Sequence, residues 1–198
     1  MQNENSPAEP TESKTGYASQ LKKSKHHLRG IQTMFKNSSS NHQRLSAMAD
    51  NKAFIMITVN SIIISVAIGL FITNLGKTYH LIYPTIIILC VNLLAIIYSV
   101  LATRPNIPNG TFTKEQVDNK TVNLLFFGSY YKMDLKDYEY GIRQMMDDSE
   151  FLYSSLIKDI YWQGKILGRK FRLLHISYNI FMYGIGLSVV AYLTAIFI

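Results

Sequence analysis

The sequence predicts an all-α membrane protein with three transmembrane helices, two of which are continuous with cytoplasmic helices. Three apolar runs without Asp, Glu, Lys or Arg cover about residues 53–73, 81–103 and 176–198. A helix of this length crosses the roughly 30 Å hydrocarbon core at about 1.5 Å rise per residue. Polar sequence leads into the first and third runs without a proline, so both spans are predicted to continue helices that begin outside the membrane.

The chain before the first span is predicted to have two parts. Residues 1–37 are rich in Asn, Ser, Glu and Lys and poor in large apolar side chains, which predicts a disordered cytoplasmic tail. A helix is then expected to begin near Ser38 to Asn41, where serines are plausible caps, and to run through the first span. The predicted membrane module is therefore residues 38–198.

One face of this first helix is polar and partly basic just before the membrane. Arg44, Asn51 and Lys52 lie within an arc of about 100°. A ligand held by Arg44 or Lys52 would act directly on the membrane-spanning part of the same helix. The alternative is an ion pair between Asp50 and a basic residue of the later chain that only fixes helix packing.

The distribution of charge predicts the orientation. Of the 20 Lys and Arg, eight precede the first span, one lies between the first two spans, and eleven lie between the second and third. By the positive-inside rule the N-terminus and the region 104–175 are cytoplasmic, and the C-terminus is outside. The formal net charge of +7 is mostly this topology signal, and we expect no binding of nucleic acid polymers.

The region 104–175 is predicted to begin with a loop, because prolines and an Asn-Gly pair follow the second span. The apolar run closed by Gly128 fits either a strand or a loop. Helical sequence resumes at Asp134, with a possible break near Asp147 to Ser149 and Ser149 as cap. The last helix then enters the third span.

Small residues recur in rows within the spans, and such rows let helices approach closely inside one subunit or between copies. One row is Ser61, Ser65 and Gly69, and the other is Gly184, Ser188, Ala191 and Ala195. Three spans are too few to enclose a wide path alone, so lining a pore needs a homo-oligomer.

The sequence lacks the common catalytic and metal-binding motifs, including HExxH, the P-loop, GxSxG, GxGxxG and paired Cys ligands. We therefore expect no enzyme, no catalytic residue, no metal and no cofactor.

Three runs of the chain resemble the Pycsar transmembrane effector family: NHQRLSAMADNKAFIMITVNSIIIS, NLLFFGSYYKM and DSEFLYSSLIKDIYWQGKILGRKFRLL. The resemblance covers about Gly30 to Ile198. It implies a bacterial antiphage effector of the inner membrane, with residues 38–198 as the effector module. The implied signal is cyclic UMP or cyclic CMP, made by a partner cyclase, and the implied outcome is loss of membrane integrity.

One face of the last helix carries Lys158, Trp162, Lys165, Arg169 and Arg172, within about 80°. Cations suit the single phosphate of a cyclic nucleotide and an indole suits its base. The alternative is that Arg169, Lys170 and Arg172 only obey the positive-inside rule and snorkel to anionic headgroups, while Trp162 packs in the bundle. The predicted ligand-binding set is Arg44, Asn51, Lys52, Lys158, Trp162, Lys165 and Arg169, with the ligand between the two membrane-continuous helices.

A second function remains open. The same basic face fits a constitutive membrane scaffold or assembly protein that binds anionic lipid or a protein partner and needs no nucleotide.

Overall fold

A computed structural model describes residues 11–73, 79–105 and 110–197, with side chains from residue 25 onward except that of Tyr79. The described residues form helices and contain no strand. The α-helices of these ranges are α1 (Thr11–Thr73), α2 (Ile82–Thr103), α3 (Lys114–Asp118), α4 (Leu135–Asp147) and α5 (Ser149–Ile196). Short 3-10 helices occupy Tyr79–Leu81 and Phe127–Ser129.

The predicted fold class is confirmed. Within the described part of the chain, three helices are long and apolar enough to cross a membrane, and they are α1, α2 and α5. The apolar parts of α1 and α5 continue polar helical segments without interruption. In α5 the helix passes through Gly164 and Gly168 unbroken.

The start of α1 differs from the prediction. The helix begins at Thr11 and not near Ser38, because residues 11–40 contain no proline and many good helix formers such as Lys, Gln and Leu. Residues 1–10 of the predicted tail lie outside the described residues. The chain divides into two compact units after Ser40, and the predicted boundary at residue 38 stays a prediction.

Helices α2 and α5 pack through buried polar contacts. Ser177 Oγ donates to the carbonyl oxygen of Ala95 at 2.7 Å and lies 2.8 Å from Ser99 Oγ. Farther along, Thr85 Oγ1 lies 2.8 Å from the Tyr192 hydroxyl. Hydrogen bonds of this kind hold helices together where lipid offers no partner.

The row of small residues on α5 packs inside the subunit at two of its members. Gly184 and Ser188 are buried, and a Cβ at Gly184 would collide with the Val91 side chain of α2. On α1, by contrast, Ser61, Ser65 and Gly69 are not buried.

Gly184→Ala is expected to destabilise the α2–α5 contact, because its methyl group has no room beside Val91. Gly186→Ala is the matched control, since nothing lies within 4 Å of a Cβ there. Both variants gain the same helix propensity, so their difference isolates the overpacking, about 1–3 kcal/mol. The measurement is the free energy of unfolding of the two variants in detergent. Equal values would contradict the close contact between Gly184 and Val91.

Helices α1 and α5 meet where both approach the membrane. Ala49 and Ala53 of α1 form a small buried cluster with Leu174 of α5, and Phe171 packs against it. The predicted ion pair of Asp50 is confirmed, because Lys170 Nζ lies 2.8 Å from Asp50 Oδ1.

The α2–α5 connection (residues 104–148) folds around an apolar core. The buried members of this core are Phe112, Val117, Leu124, Met145 and, from the first turn of α5, Phe151. The run for which a strand or a loop was predicted forms turns and the 3-10 helix Phe127–Ser129. Gly110 has a φ of +80° and lies against the Tyr131 ring, a position that suits only glycine.

The predicted break before α5 is present, but its cap is Asp148 and not Ser149. The Asp148 carboxylate accepts from the backbone N–H groups of Glu150 and Phe151 at 2.9 and 3.1 Å. It also pairs with Lys120 Nζ at 2.6 Å. A carboxylate satisfies the first N–H groups of a helix and the helix dipole together, which explains why it displaces serine here.

The Lys120 hydrogen bond and the two backbone N–H groups lower the pKa of Asp148 below its ordinary value of 3.8. The ion pair therefore stabilises the fold above that value, and the contribution is lost as the pH falls through the lowered pKa. We expect Asp148→Asn to lack this acid-dependent loss of melting temperature, measured from about pH 5 downward past 3.8.

Asp134→Asn serves as the control for this titration, because Asp134 caps α4 without a side-chain hydrogen bond. If the melting temperature of the wild type falls no faster in acid than that of Asp148→Asn, the Asp148 carboxylate is not the source of the acid-dependent loss of stability.

A basic and aromatic groove at the end of the second span

A groove of about 640 Å³ lies where α2 ends and the α2–α5 connection begins. Its walls are the last turn of α2, the segment around Asn123 to Phe127, and one face of α5. The lining residues are Leu101, Ala102, Thr103, Arg104, Pro105, Asn123, Phe126, Phe127, Trp162, Lys165, Ile166, Arg169 and Lys170.

Four cations line the groove, namely Arg104, Lys165, Arg169 and Lys170. Three of them (Arg104, Lys165 and Arg169) are exposed, and Lys165 Nζ lies over the Tyr161 ring at 5.7 Å from its centroid. No acidic side chain is among the described lining residues. The groove therefore has a positive potential that attracts anions.

Aromatic rings supply the flat surfaces of the groove. Trp162 is 53% exposed, so much of its indole is free to stack. It meets Tyr161 edge-on, with ring centroids 5.6 Å apart. Phe126 and Phe127 line the groove from the α2–α5 connection, with ring centroids 5.1 Å apart.

Lys170 belongs both to the groove and to the contact with α1. Its side chain is only 19% exposed, and its Nζ donates to Asp50 Oδ1 at 2.8 Å and to Ser46 Oγ at 2.9 Å. Lys170 therefore contacts both the groove and the helix that forms the first span.

The predicted ligand-binding residues do not all come together. Trp162, Lys165 and Arg169 line one groove, as their common helix face suggested. Lys158 instead donates to the carbonyl oxygen of Lys120 at 2.8 Å, where it holds the turn after α3.

The three predicted residues of α1 are not among the residues that line the groove. Arg44 donates to Asn41 Oδ1 of its own helix at 3.3 Å, and Asn51 and Lys52 are exposed. Their part in ligand binding stays a prediction.

The residues of the groove that were not predicted include Arg104, Asn123, Phe126, Phe127 and Lys170. A signal existed for one of them, since Arg104 directly follows the second span. Phe126 and Phe127 lie in the run predicted as a strand or a loop. The periodicity of a sequence does not indicate which side of a groove a turn will line.

The fold and the groove define a class: a three-span helical membrane protein with an anion-attracting groove where its second span meets a folded connection. The chain belongs to the Pycsar transmembrane effector family, because the family model described as "PycTM: Pycsar effector protein domain" matches residues 33–197. No curated protein and no solved structure matches the chain.

Membership of this family makes the chain an antiphage membrane effector linked to a cyclic nucleotide signal from a cyclase partner. The family is not a known enzyme class.

Proposed function

We propose that the chain binds a cyclic pyrimidine mononucleotide, cyclic UMP or cyclic CMP, in the groove at the end of α2 and then impairs the inner membrane. The observation that carries the proposal is the placement of three exposed cations and an exposed indole in one groove of about 640 Å³. That volume is within the usual range of small-molecule sites, about 300–1,000 Å³.

The phosphate is assigned to Arg104, Lys165 and Arg169. A cyclic nucleotide carries one phosphate with one negative charge, and a guanidinium contacts two of its oxygens at once. Arg104 lies at the C-cap of α2 and Arg169 lies on α5, so a bound phosphate draws these two helices to a common anion.

The base is assigned to the aromatic part of the groove, against the exposed face of Trp162. Stacking of a base on an aromatic ring contributes about 1–3 kcal/mol. Phe126 and Phe127 add apolar surface to the same groove.

Transmission to the membrane is assigned to Lys170. A phosphate in the groove competes with Asp50 for the Lys170 ammonium group, which weakens the link between α5 and α1. A ligand changes a conformational equilibrium only through its different affinity for the two states, and a Lys170 released from Asp50 supplies that difference.

The damaging state is proposed to be a homo-oligomer. Ser61, Ser65 and Gly69 form a row of small residues on α1 that is not buried in the subunit, and a row of this kind allows close contact between copies. The orientation follows from the charge distribution, with the N-terminus and the α2–α5 connection in the cytoplasm and the C-terminus outside.

Dye release from lipid vesicles tests this function. Purified full-length protein in vesicles of zwitterionic and anionic phospholipid is expected to release dye when cyclic UMP or cyclic CMP is added on the side of the connection. Cyclic AMP and cyclic GMP serve as controls. Release that does not depend on a pyrimidine nucleotide would contradict the proposal.

The alternative is a constitutive scaffold that holds anionic lipid, and one observation favours it. The groove is lined by Leu101 to Thr103, the last residues of an apolar span, so it lies near the level of lipid headgroups. Saturable binding of an anionic headgroup without effect of nucleotide would favour this scaffold.

A further inference from the structure

Asn123 is the most deeply buried polar side chain among the described residues that line the groove. The residue is 8% exposed. Its Oδ1 accepts from the backbone N–H of Leu125 at 3.1 Å, but its Nδ2 is buried with no hydrogen-bond partner among the described residues.

The orientation of this amide is fixed by its neighbour. The atom that faces the Leu125 N–H must be an acceptor, so it is Oδ1, and the unpaired atom is therefore the NH₂ group. A buried donor without a partner is unfavourable. A ligand that presents an acceptor to this NH₂ group removes that penalty.

The other polar side chains of the groove are mostly donors as well. Arg104, Lys165, Arg169 and Lys170 donate only, and Trp162 donates through its indole N–H. The groove thus favours a base that presents carbonyl oxygens to these donors over a base that presents an amino group to them.

We propose that Asn123 Nδ2 donates to the carbonyl at position 4 of a uracil base, and that the groove selects cyclic UMP over cyclic CMP. This inference rests on the proposed function. Cytosine carries an amino group at position 4, where it meets another NH₂ group and leaves both without an acceptor. Nδ2 is shielded from water in this structure, so its contact with the base requires local movement around Asn123.

A mismatch of one hydrogen bond predicts that cyclic UMP binds about tenfold more tightly than cyclic CMP. Asn123→Asp replaces the donor by an acceptor and keeps the oxygen that accepts from Leu125. We expect this variant to lose the preference for cyclic UMP or to reverse it. The added charge weakens both ligands alike, so the ratio of the two affinities reports the base contact.

The experiment is calorimetry of both nucleotides with the full-length protein in detergent, at one salt concentration. Asn119→Asp carries the same charge change at an exposed position outside the groove, and it is expected to keep the wild-type ratio.

Two results overturn the inference and are distinguishable. If the wild-type protein binds both nucleotides equally, or prefers cyclic CMP, the groove remains the binding site but Asn123 does not recognise the base. This conclusion holds even if no variant folds. A wild-type protein that binds neither nucleotide removes the proposed function together with the inference.

Discussion

Charge reversal of Lys165 and Arg169 is expected to abolish nucleotide binding while membrane insertion and folding remain. Both side chains are exposed, and both line the groove. Each hydrogen bond to a charged group contributes about 1.5–3 kcal/mol, so the loss of two weakens binding by at least about 100-fold. The double variant K165E/R169E therefore shows no heat of binding at concentrations that saturate the wild type.

The matched control is the double variant R44E/K52E. It reverses the same number of exposed cations on the other membrane-continuous helix, outside the groove. Neither Arg44 nor Lys52 lines the groove, so this variant is expected to keep most of its affinity. If R44E/K52E loses binding and K165E/R169E keeps it, the ligand lies on the polar face of α1 and the groove is not the site.

Replacement of Asp50 by asparagine is expected to activate the protein without ligand. The variant weakens the link between Asp50 and Lys170, which is the event assigned to phosphate binding. Since Asp50 is 44% exposed, the pair is screened by solvent and contributes about 1 kcal/mol, which corresponds to roughly fivefold in population. Dye release from vesicles in the absence of nucleotide therefore rises severalfold.

The same variant leaves the groove cations in place and frees Lys170 for the phosphate, so its nucleotide affinity is equal to or greater than that of the wild type. Glu139→Gln is the control, because it breaks an ion pair with Arg143 within α4 that links no other helix. Basal dye release from Asp50→Asn no higher than that from Glu139→Gln would contradict the role given to Lys170.

The spans were predictable because each depends only on local composition. A run of uncharged apolar residues such as 53–73 has one stable form in lipid, which is a helix. The continuity of α1 and α5 with polar helices followed from the lack of proline at the membrane boundary. The start of α1 was predicted poorly, since sequence of moderate propensity such as residues 11–40 gives no clear signal between helix and coil.

The groove was predictable only on one wall. The helical period places Trp162, Lys165 and Arg169 on one face, and the structure keeps them together. The opposite wall depends on how the α2–α5 connection folds over the end of α2, which involves residues distant in sequence. Lys158 shared the predicted face but is engaged by the carbonyl of Lys120, a partner that no local pattern indicates.

The most direct test of the account is calorimetry of cyclic UMP, cyclic CMP, cyclic AMP and cyclic GMP with detergent-purified wild-type protein at one fixed salt concentration. We expect saturable binding of a pyrimidine nucleotide, with cyclic UMP the tighter of the two, and much weaker binding of both purine nucleotides. The absence of binding to all four by folded protein would contradict the proposal that this membrane effector senses a cyclic pyrimidine nucleotide itself.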